Sequence, residues 1–534
     1  MKWIRKKKLW AAAAVAGIYL FLLLLLVRAE AGAKAANIRS FSQALWYSLT
    51  TLTTVGYGDL YPVTAGGRLI GAFFQLLGVG LLAFIIGMAF SAMKNRMMPV
   101  LRAVIFRNRN CYIFTAKNAR SEALAAALRR DEPDCLLFFA DRELAPEMLL
   151  PFRPANKETG VFCIGKNPVE NERQASFLRN HFSGSALQEE NKAGKHGDEP
   201  GLRFYCLTEH EPEQLPENAT TFNPAELCAR LYWNAYPVLD PDEEIILIGS
   251  GASAEFLLEE ALLRNVLDTE QHIRYHVFGS FDNFRRNHPR LREVCSLEEG
   301  MPGRDSVLFR PDMWNADAKL LARADRIVVC TESEERTVAI LNQMLRYFPI
   351  RGRIYACLSS PFERVTAFGS PEEIFTPELV MRTRLNRTAM ELHEIYRQES
   401  GREIPEWNLL GSFMRRSNLA SADHLMTKIR ILLGKNVSSA LTPELCRQAW
   451  QAFSTADEGA RQSFRRIEHE RWRRFHYLNG WQYGEKRDDI ARTHPLLRPF
   501  DELPEEEQKK NDYAWFLIRN LAEGQTPDVM NTAG

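Results

Sequence analysis

The chain of 534 residues carries 68 Lys and Arg against 67 Asp and Glu, a formal charge of +1, with 46% hydrophobic and 25% charged residues. That balance has neither the basic excess of a nucleic-acid surface nor an acidic tail, so no nucleic-acid partner is expected. Nine cysteines, all between Cys111 and Cys446 and without Cys-x-x-Cys spacing, read as reduced core thiols, not as a disulfide frame or a zinc site.

From Leu9 to Val27 no residue is charged, and at about 1.5 Å per residue the run reaches roughly 28 Å, close to the thickness of a hydrocarbon core. Lys2, Arg5, Lys6, Lys7 and Lys8 before it and Ala29-Glu30-Ala31 after it also fit a signal peptide with its cleavage site. A second uncharged run, Leu69 to Met93, makes two membrane spans the expectation, at 9–27 and 69–93. Lys94, Arg96, Arg102, Arg107 and Arg109 follow the second run. By the positive-inside rule, both N- and C-termini of this multi-pass chain are then cytoplasmic and the loop between the spans lies outside.

Within that loop, residues 41–52 are too short and too polar to cross a bilayer but suit a re-entrant helix of about three turns. Thr53-Thr54-Val55-Gly56-Tyr57-Gly58-Asp59 follows. Non-helical backbone at membrane depth is tolerated only where protein buries it or water lines it. Gly56 and Gly58 permit backbone angles that turn successive carbonyl oxygens toward one axis. Four such strands would replace the water around a potassium ion, with the Thr54 hydroxyl closing the inner end.

The stretch "ALWYSLTTLTTVGYGDLYPVTAGGRLIG" resembles the pore of tetrameric potassium channels, closest to bacterial channels with two transmembrane helices per subunit, over about residues 41–93. The resemblance implies a homotetramer with potassium ions held by Thr54, Val55, Gly56, Tyr57 and Gly58, and Asp59 at the outer mouth. It also makes Trp46 and Tyr47 an aromatic cuff and puts Gly78 where the inner helix often bends. Thr50 stands where some relatives carry a glutamate behind the filter, so a carboxylate pair with Asp59 is not expected.

After a linker at 99–110, strand and helix patterns alternate, which predicts parallel α/β layers. "CYIFTAKNARSEALAAALRR" opens a first unit, 111–240, with Thr115 to Ala119 where a glycine turn would stand, and with a polar tract at 185–201 that reads as a disordered loop. "EIILIGSGASAEFLLEEALL" opens a second, 241–399, as a strand, Gly249-x-Gly251-x-x-Ala254, and a helix. Such a turn brings backbone N–H groups and a helix N-terminus toward a phosphate, although alone it also serves strand–helix packing.

With "YHVFG", "RADRIVVCTESEERTVAILNQML" and "RIYACLS", the second unit resembles the nucleotide-binding half of RCK (TrkA-N) domains, which regulate potassium channels and transporters. The resemblance implies an NAD-like nucleotide on Gly249, Gly251 and Ala254, with an acidic residue at the ribose. Here Gly279-Ser280 ends the second strand and Asp282 follows two residues later. "TFNPAELCARLYW" echoes "IFTPELVMRTRLN", so two tandem RCK-like domains are expected, the first degenerate, forming a gating ring in the tetramer.

In the last segment, 400–534, His469, Trp472 and His476 share one helical face, and Gly480-Trp481-x-Tyr483-Gly484 turns the chain. An aromatic core with a glycine turn is one reading. Together with "RRSNLASADHLMTKI", Asp488 and His494-Pro495-x-Leu497-x-Pro499, the segment resembles the RyR domain of ryanodine receptors and of bacterial signalling or conflict proteins. Trp472, Trp481 and Tyr483 would stack on a base, while Arg416, Asn418, His424, His469 and Arg471 hold phosphate or ribose oxygens of an ADP-ribose-like nucleotide messenger. Structural use of the same residues is the alternative.

The expected fold is thus multidomain: an α-helical membrane pore of two transmembrane helices and a pore helix, two α/β Rossmann-like RCK domains, and a mainly α RyR domain. The expected function is a ligand-gated potassium-selective channel of the bacterial inner membrane, in a signalling or defence pathway. A membrane-anchored NAD-binding regulatory subunit of a potassium transport system is the alternative. No general base, nucleophile or metal constellation emerges, so enzymatic activity is not expected.

Overall fold

In the computed structural model, residues 17–140, 145–152, 157–190, 201–213, 218–299, 303–399, 403–434, 437 and 441–524 are described. They fall into two compact units, Met1–Ile105 and Phe106–Gly534. The beginning of the first expected span, 9–16, lies outside the described residues, as do 191–200 of the expected disordered tract.

In the first unit a helix over residues 17–30 precedes the helices Phe41–Leu52 and Ala65–Ala92. Phe41–Leu52 starts where it does because Ser40 and Gln43 form a reciprocal cap, the Gln43 side chain accepting from the Ser40 N–H at 3.0 Å and Ser40 Oγ from the Gln43 N–H at 3.3 Å. Thr64 Oγ1 caps the third helix by accepting from the Gly67 N–H at 2.9 Å, so the helix begins four residues before the apolar run. Its 28 residues extend about 42 Å, and Ala65–Ser91 is long and apolar enough to cross a membrane. Leu23, Leu26, Ile38, Ala44 and Phe74 form a small core, while Leu69, Leu76, Phe84 and Phe90 are exposed on the single chain.

The third helix runs through Gly78 without a break, and the missing side chain there allows close packing: a Cβ added at Gly78 would sit 2.8 Å from the Leu52 carbonyl oxygen. The departure from α-helical geometry comes later, in a π-helical segment Met93–Met97, and the chain continues as a helix over Met98–Ile105 inside the expected linker. Pro99 follows the π-helical segment in this continuous run, and its missing N–H removes a bond that an uninterrupted α-helix would make to residue 95.

The second unit holds two all-parallel sheets. The first has strands β1 (Cys111–Phe114), β2 (Leu136–Phe139), β3 (Thr159–Cys163), β4 (Leu202–Leu207) and β5 (Ala219–Phe222) in the order β2-β1-β3-β4-β5. The second has β6 (Glu244–Ser250), β7 (Arg274–Ser280), β8 (Ser306–Arg310), β9 (Arg326–Cys330), β10 (Arg353–Cys357) and β11 (Thr366–Phe368) in the order β11-β10-β9-β6-β7-β8. By position in the sheet, β2-β1-β3-β4-β5 has the same order as β7-β6-β9-β10-β11, so the two α/β units share a topology and β8 is the added edge.

Parallel strands covered on both faces need apolar residues at consecutive positions. In β6, Ile245 and Leu247 enter one core and Ile246 and Ile248 the other. Part of the expected disordered tract is instead helical, since the helix Pro168–Glu190 continues through residues 185–190. The C-terminal helices Ser412–Leu433, Pro443–Thr455, Glu458–Leu478 and Tyr513–Ala522 enclose a third core that includes Leu425, Phe453 and Trp515. Leu392 and Ile395 belong to that same core, so the helix Arg384–Glu399, assigned from sequence to the second α/β domain, packs with the helical bundle. All nine cysteines are free thiols, and all but Cys357 are buried.

Candidate functional site

The segment after Phe41–Leu52 leaves helical geometry at once. Thr54, Gly56 and Gly58 have φ of 61°, 55° and 75°, and they alternate with Val55 and Tyr57, which are not in that region. Alternating left- and right-handed residues bring successive carbonyl oxygens to one side of the strand. The start of the segment is pinned by the Thr50 carbonyl, which accepts from Val55 N–H at 2.9 Å and Gly56 N–H at 3.1 Å.

Trp46 Nε1 donates to Asp59 Oδ2 at 2.9 Å, and the Trp46 and Tyr57 rings lie parallel with centroids 5.9 Å apart. Tyr47 is buried, and a Cβ on Gly71 would approach its hydroxyl to 2.5 Å. The Thr50 hydroxyl donates to the Tyr47 carbonyl at 3.0 Å, a contact local to the helix and not one with Asp59.

Two residues missed from sequence brace the same segment from outside. Glu30 is fully buried and accepts from Val63 N–H and Thr64 N–H, each at 3.0 Å, and from Thr64 Oγ1 at 2.6 Å. Ala29-Glu30-Ala31, which resembled a cleavage site, is thereby packed into the unit. Asn37 donates to the Asp59 carbonyl at 3.3 Å and accepts from the Tyr61 N–H at 3.2 Å. The only local signal for either is a polar residue beyond the end of an apolar run.

In the second sheet the glycine turn is built as its spacing suggests. A Cβ on Gly249 would lie 2.5 Å from Cys330 O and 2.6 Å from the Ala254 Cβ, and Gly251, with φ 79°, starts the helix Ala252–Arg264. Gly279 is required as well, since its Cβ would fall 1.9 Å from the Gly249 carbonyl oxygen. Glu332 extends over this turn, its Cγ 3.2 Å and Oε1 4.0 Å from the position of a Gly251 Cβ. A carboxylate thus lies near where the turn would present N–H groups to a phosphate. Asp282 is exposed at the start of the short helix Asp282–Asn287. In the first sheet Asn118 replaces the glycine turn, capping the helix Ala119–Asp131 and donating to the Ile164 carbonyl at 2.7 Å.

The eight residues singled out near the C-terminus do not line one open surface. Trp481 is 4% exposed, stacked on Phe413 with centroids 5.0 Å apart and flanked by His476 and His494. It is therefore enclosed instead of presented for stacking on a ligand. Trp472 lies between His469 and His476 at 5.6 and 4.0 Å. His424 Nε2 donates to the Val266 carbonyl at 2.8 Å, and His469 Nε2 to that of Arg498 at 2.9 Å.

Arg471 and Lys428 converge on Glu468, at 2.8 and 2.6 Å. Although burial alone would raise this carboxyl, the two cations hold it well below the usual range. Arg416 pairs with Glu259 at 2.6 Å, and Asn418 donates to the Met414 carbonyl at 3.1 Å. Tyr483 alone of the eight is half exposed, under the Arg498 guanidinium.

Of the eight, His424 and Arg416 bond to the second α/β layer, and other side chains join the helical bundle to both layers. Arg474 reaches Asp305 at 2.7 Å, Thr427 donates to the Arg264 carbonyl at 3.1 Å, and Ser412 to Glu213 at 2.6 Å. Arg230 binds Asp423 at 2.8 Å, Asn386 at 2.9 Å and the Leu385 carbonyl at 2.8 Å.

Comparison with known proteins agrees with both ends of the chain. Residues 11–95 match the family described as "Ion channel", and residues 452–517 match the "RyR domain" family. The chain is 41% identical over 51 residues to potassium voltage-gated channel subfamily A member 5 of Mus musculus and to subfamily A member 4 of Homo sapiens. That match covers 10% of this chain and 8% of each relative, so the chain spans under a tenth of the length of those relatives.

Among solved structures, one named "GsuK Channel" aligns at 13% identity and a TM-score of 0.28, covering 69% of this chain and 96% of that one. "Crystal structure of the GsuK bound to ADP" aligns at 13% identity and 0.25, covering 65% and 89%. The chain carries an ion-channel domain toward its N-terminus and a RyR domain toward its C-terminus, separated in sequence by two parallel α/β layers, and is a membrane protein.

Proposed function

We propose that four copies of this chain form a potassium-selective channel of the bacterial inner membrane, gated from the cytoplasm by a small ligand. The observation that carries this reading is the left-handed alternation at Thr54, Gly56 and Gly58, braced by the 2.9 Å bond from Trp46 to Asp59. A strand with its carbonyls on one side coordinates a dehydrated cation only when copies of it close a ring. The exposure of Val55 and Tyr57, at 53% and 68% on one chain, suits a strand whose neighbours are other subunits.

Exposed Leu69, Leu76, Phe84 and Phe90 suit contact with lipid and with neighbouring inner helices. Both termini lie on the cytoplasmic side, where the duplicated α/β layers of four subunits make a gating ring. The RyR domain, locked to both layers by buried ion pairs, acts as the ring's rigid extension. A ligand moves the pore only if open and closed rings bind it with different affinity.

Native mass measurement on the detergent-solubilised protein is expected to give four chains. A conducting monomer or dimer contradicts the reading.

A further inference from the structure

A cavity of about 570 Å3 opens where the first α/β layer, the tail of the second and the start of the helical bundle meet. One wall is β5, the free edge of the first sheet. The others are the helix Pro224–Ala235, residues 379–390 and residues 407–419. None of the residues singled out in the glycine turn or in the RyR domain lines it, and its volume is in the range of small-molecule sites.

The lining offers three kinds of contact. Along β5, Phe204 N–H donates to the Asn218 carbonyl at 2.9 Å and Thr208 N–H to that of Phe222 at 3.0 Å. N–H and C=O of one residue face the same neighbour and alternate along a strand. The groups of residues 218, 220 and 222 are therefore spent on β4, while those of Ala219 and Thr221 face away from the sheet, and both residues border the cavity.

Trp407 supplies a half-buried aromatic ring, held edge-on by His393 at 6.0 Å, with Met390 beside it in the lining. Arg203 supplies charge. Arg230 and Arg415 also line the cavity but are filled, Arg230 by Asp423 and Arg415 by Glu211 at 2.5 Å and the Pro212 carbonyl at 2.6 Å. Arg203 is in no salt bridge among the described residues, and its side chain hydrogen-bonds the Tyr205 hydroxyl, which donates to Glu158 at 3.2 Å.

The geometry points to a nucleoside monophosphate as the occupant: its base against Trp407 with the base edge read by the free N–H and C=O of Thr221, and its phosphate on Arg203. A paired donor and acceptor on a strand edge matches the hydrogen-bonding edge of a purine, and a guanidinium fork matches phosphate oxygens. With one arginine outside any salt bridge among the described residues, and with Glu132 and Glu158 lining the adjoining cavity that Arg203 also borders, the site suits a single phosphate and disfavours a polyphosphate chain.

Arg230 makes the occupant's presence felt elsewhere, because the same side chain lines the cavity and holds Asp423 of the helix Ser412–Leu433 and the Leu385 carbonyl. This inference rests on the ligand-gated reading for its consequence at the pore, but not for the binding itself.

The test is calorimetric titration of the full chain in lipid nanodiscs with AMP, adenosine, ATP and inorganic phosphate, beside potassium flux from liposomes of the same preparation. AMP is expected to bind tighter than the other three. Arg203→Gln should weaken AMP at least about tenfold without changing adenosine, and Trp407→Ala should weaken both. No AMP binding by the wild type, or equal AMP affinity in wild type and both variants, overturns the site whether or not potassium flux is normal. AMP binding that is lost in the variants while flux ignores AMP upholds the site and overturns ligand gating through it.

Discussion

Arg230 and Asp423, 193 residues apart in sequence, meet at 2.8 Å in an ion pair whose guanidinium is 2% exposed. Arg264 reaches the same carboxylate from the helix Ala252–Arg264. One acid therefore bridges two buried cations from two different layers, each of which also faces a carboxylate on its own helix, Glu226 at 3.6 Å from Arg230 and Glu260 at 2.6 Å from Arg264. Removing one member of such a group leaves an uncompensated buried charge, whereas replacing the group by apolar side chains is far less costly.

Asp423→Ala leaves Glu226 and Glu260 in place and is accordingly expected to lower the unfolding free energy of the second unit by about 3 kcal/mol, the low end for breaking a buried pair. Adding Arg230→Met should recover part of that loss. Urea unfolding followed by tryptophan fluorescence measures both, and a near-neutral Asp423→Ala would show that the pair is not a structural lock.

The buried imidazoles set an acid limit. Burial pushes His424 and His494 down to about 4 and His476 to about 3, from an ordinary 6.5. A histidine held neutral in the folded state contributes stability that is present above its unfolded value and is lost as pH falls toward its folded value. The bundle should therefore weaken progressively below pH 6.5, by roughly 1 kcal/mol per imidazole between about pH 7.5 and 5.5. Urea midpoints at the two pH values test this. His476→Gln should flatten the dependence, and a midpoint that rises on acidification would contradict the assignment.

Glu30 accepts three hydrogen bonds inside the first unit. Glu30→Ala leaves the N–H groups of Val63 and Thr64 and the Thr64 hydroxyl without their acceptor, at about 1–3 kcal/mol for a buried unsatisfied group. The expected result is faster loss of conduction during sustained opening with unchanged single-channel conductance, since the carbonyl strand is untouched. Glu30→Gln keeps one acceptor oxygen and should lie between. Single-channel records separate the two quantities, and unaltered kinetics in the alanine variant would remove Glu30 from the account.

What was legible in the sequence was what is local. The helix Phe41–Leu52 showed as a run too short and too polar to cross a bilayer, and the strand after it as glycines at alternate positions. The tandem pair of α/β units was visible as a weak echo between "TFNPAELCARLYW" and "IFTPELVMRTRLN", but the order of their strands was not. The contacts of Glu30, Asn37, Arg230 and Asp423 left no such trace, since each partner lies tens to hundreds of residues away.

Trp481 shows a different limit. An aromatic residue after a turn glycine has the same spacing whether it faces a ligand or, as here, fills a gap between Phe413, His476 and His494. Gly78 is similar, because close helix approach and helix bending both call for the absence of a side chain.

The central claim is that residues 54–58 select potassium, and the most direct measurement is the potassium-to-sodium permeability of the reconstituted protein beside its Gly56→Ala variant. Gly56 has φ 55°, so an added Cβ strains the backbone even though nothing lies within 4 Å of it on the single chain. The account predicts potassium-selective flux in the wild type, with selectivity or conduction lost in the variant while the melting transition of the second unit is unchanged. Equal permeability to the two ions in the wild type, or full potassium selectivity in the variant, would contradict it.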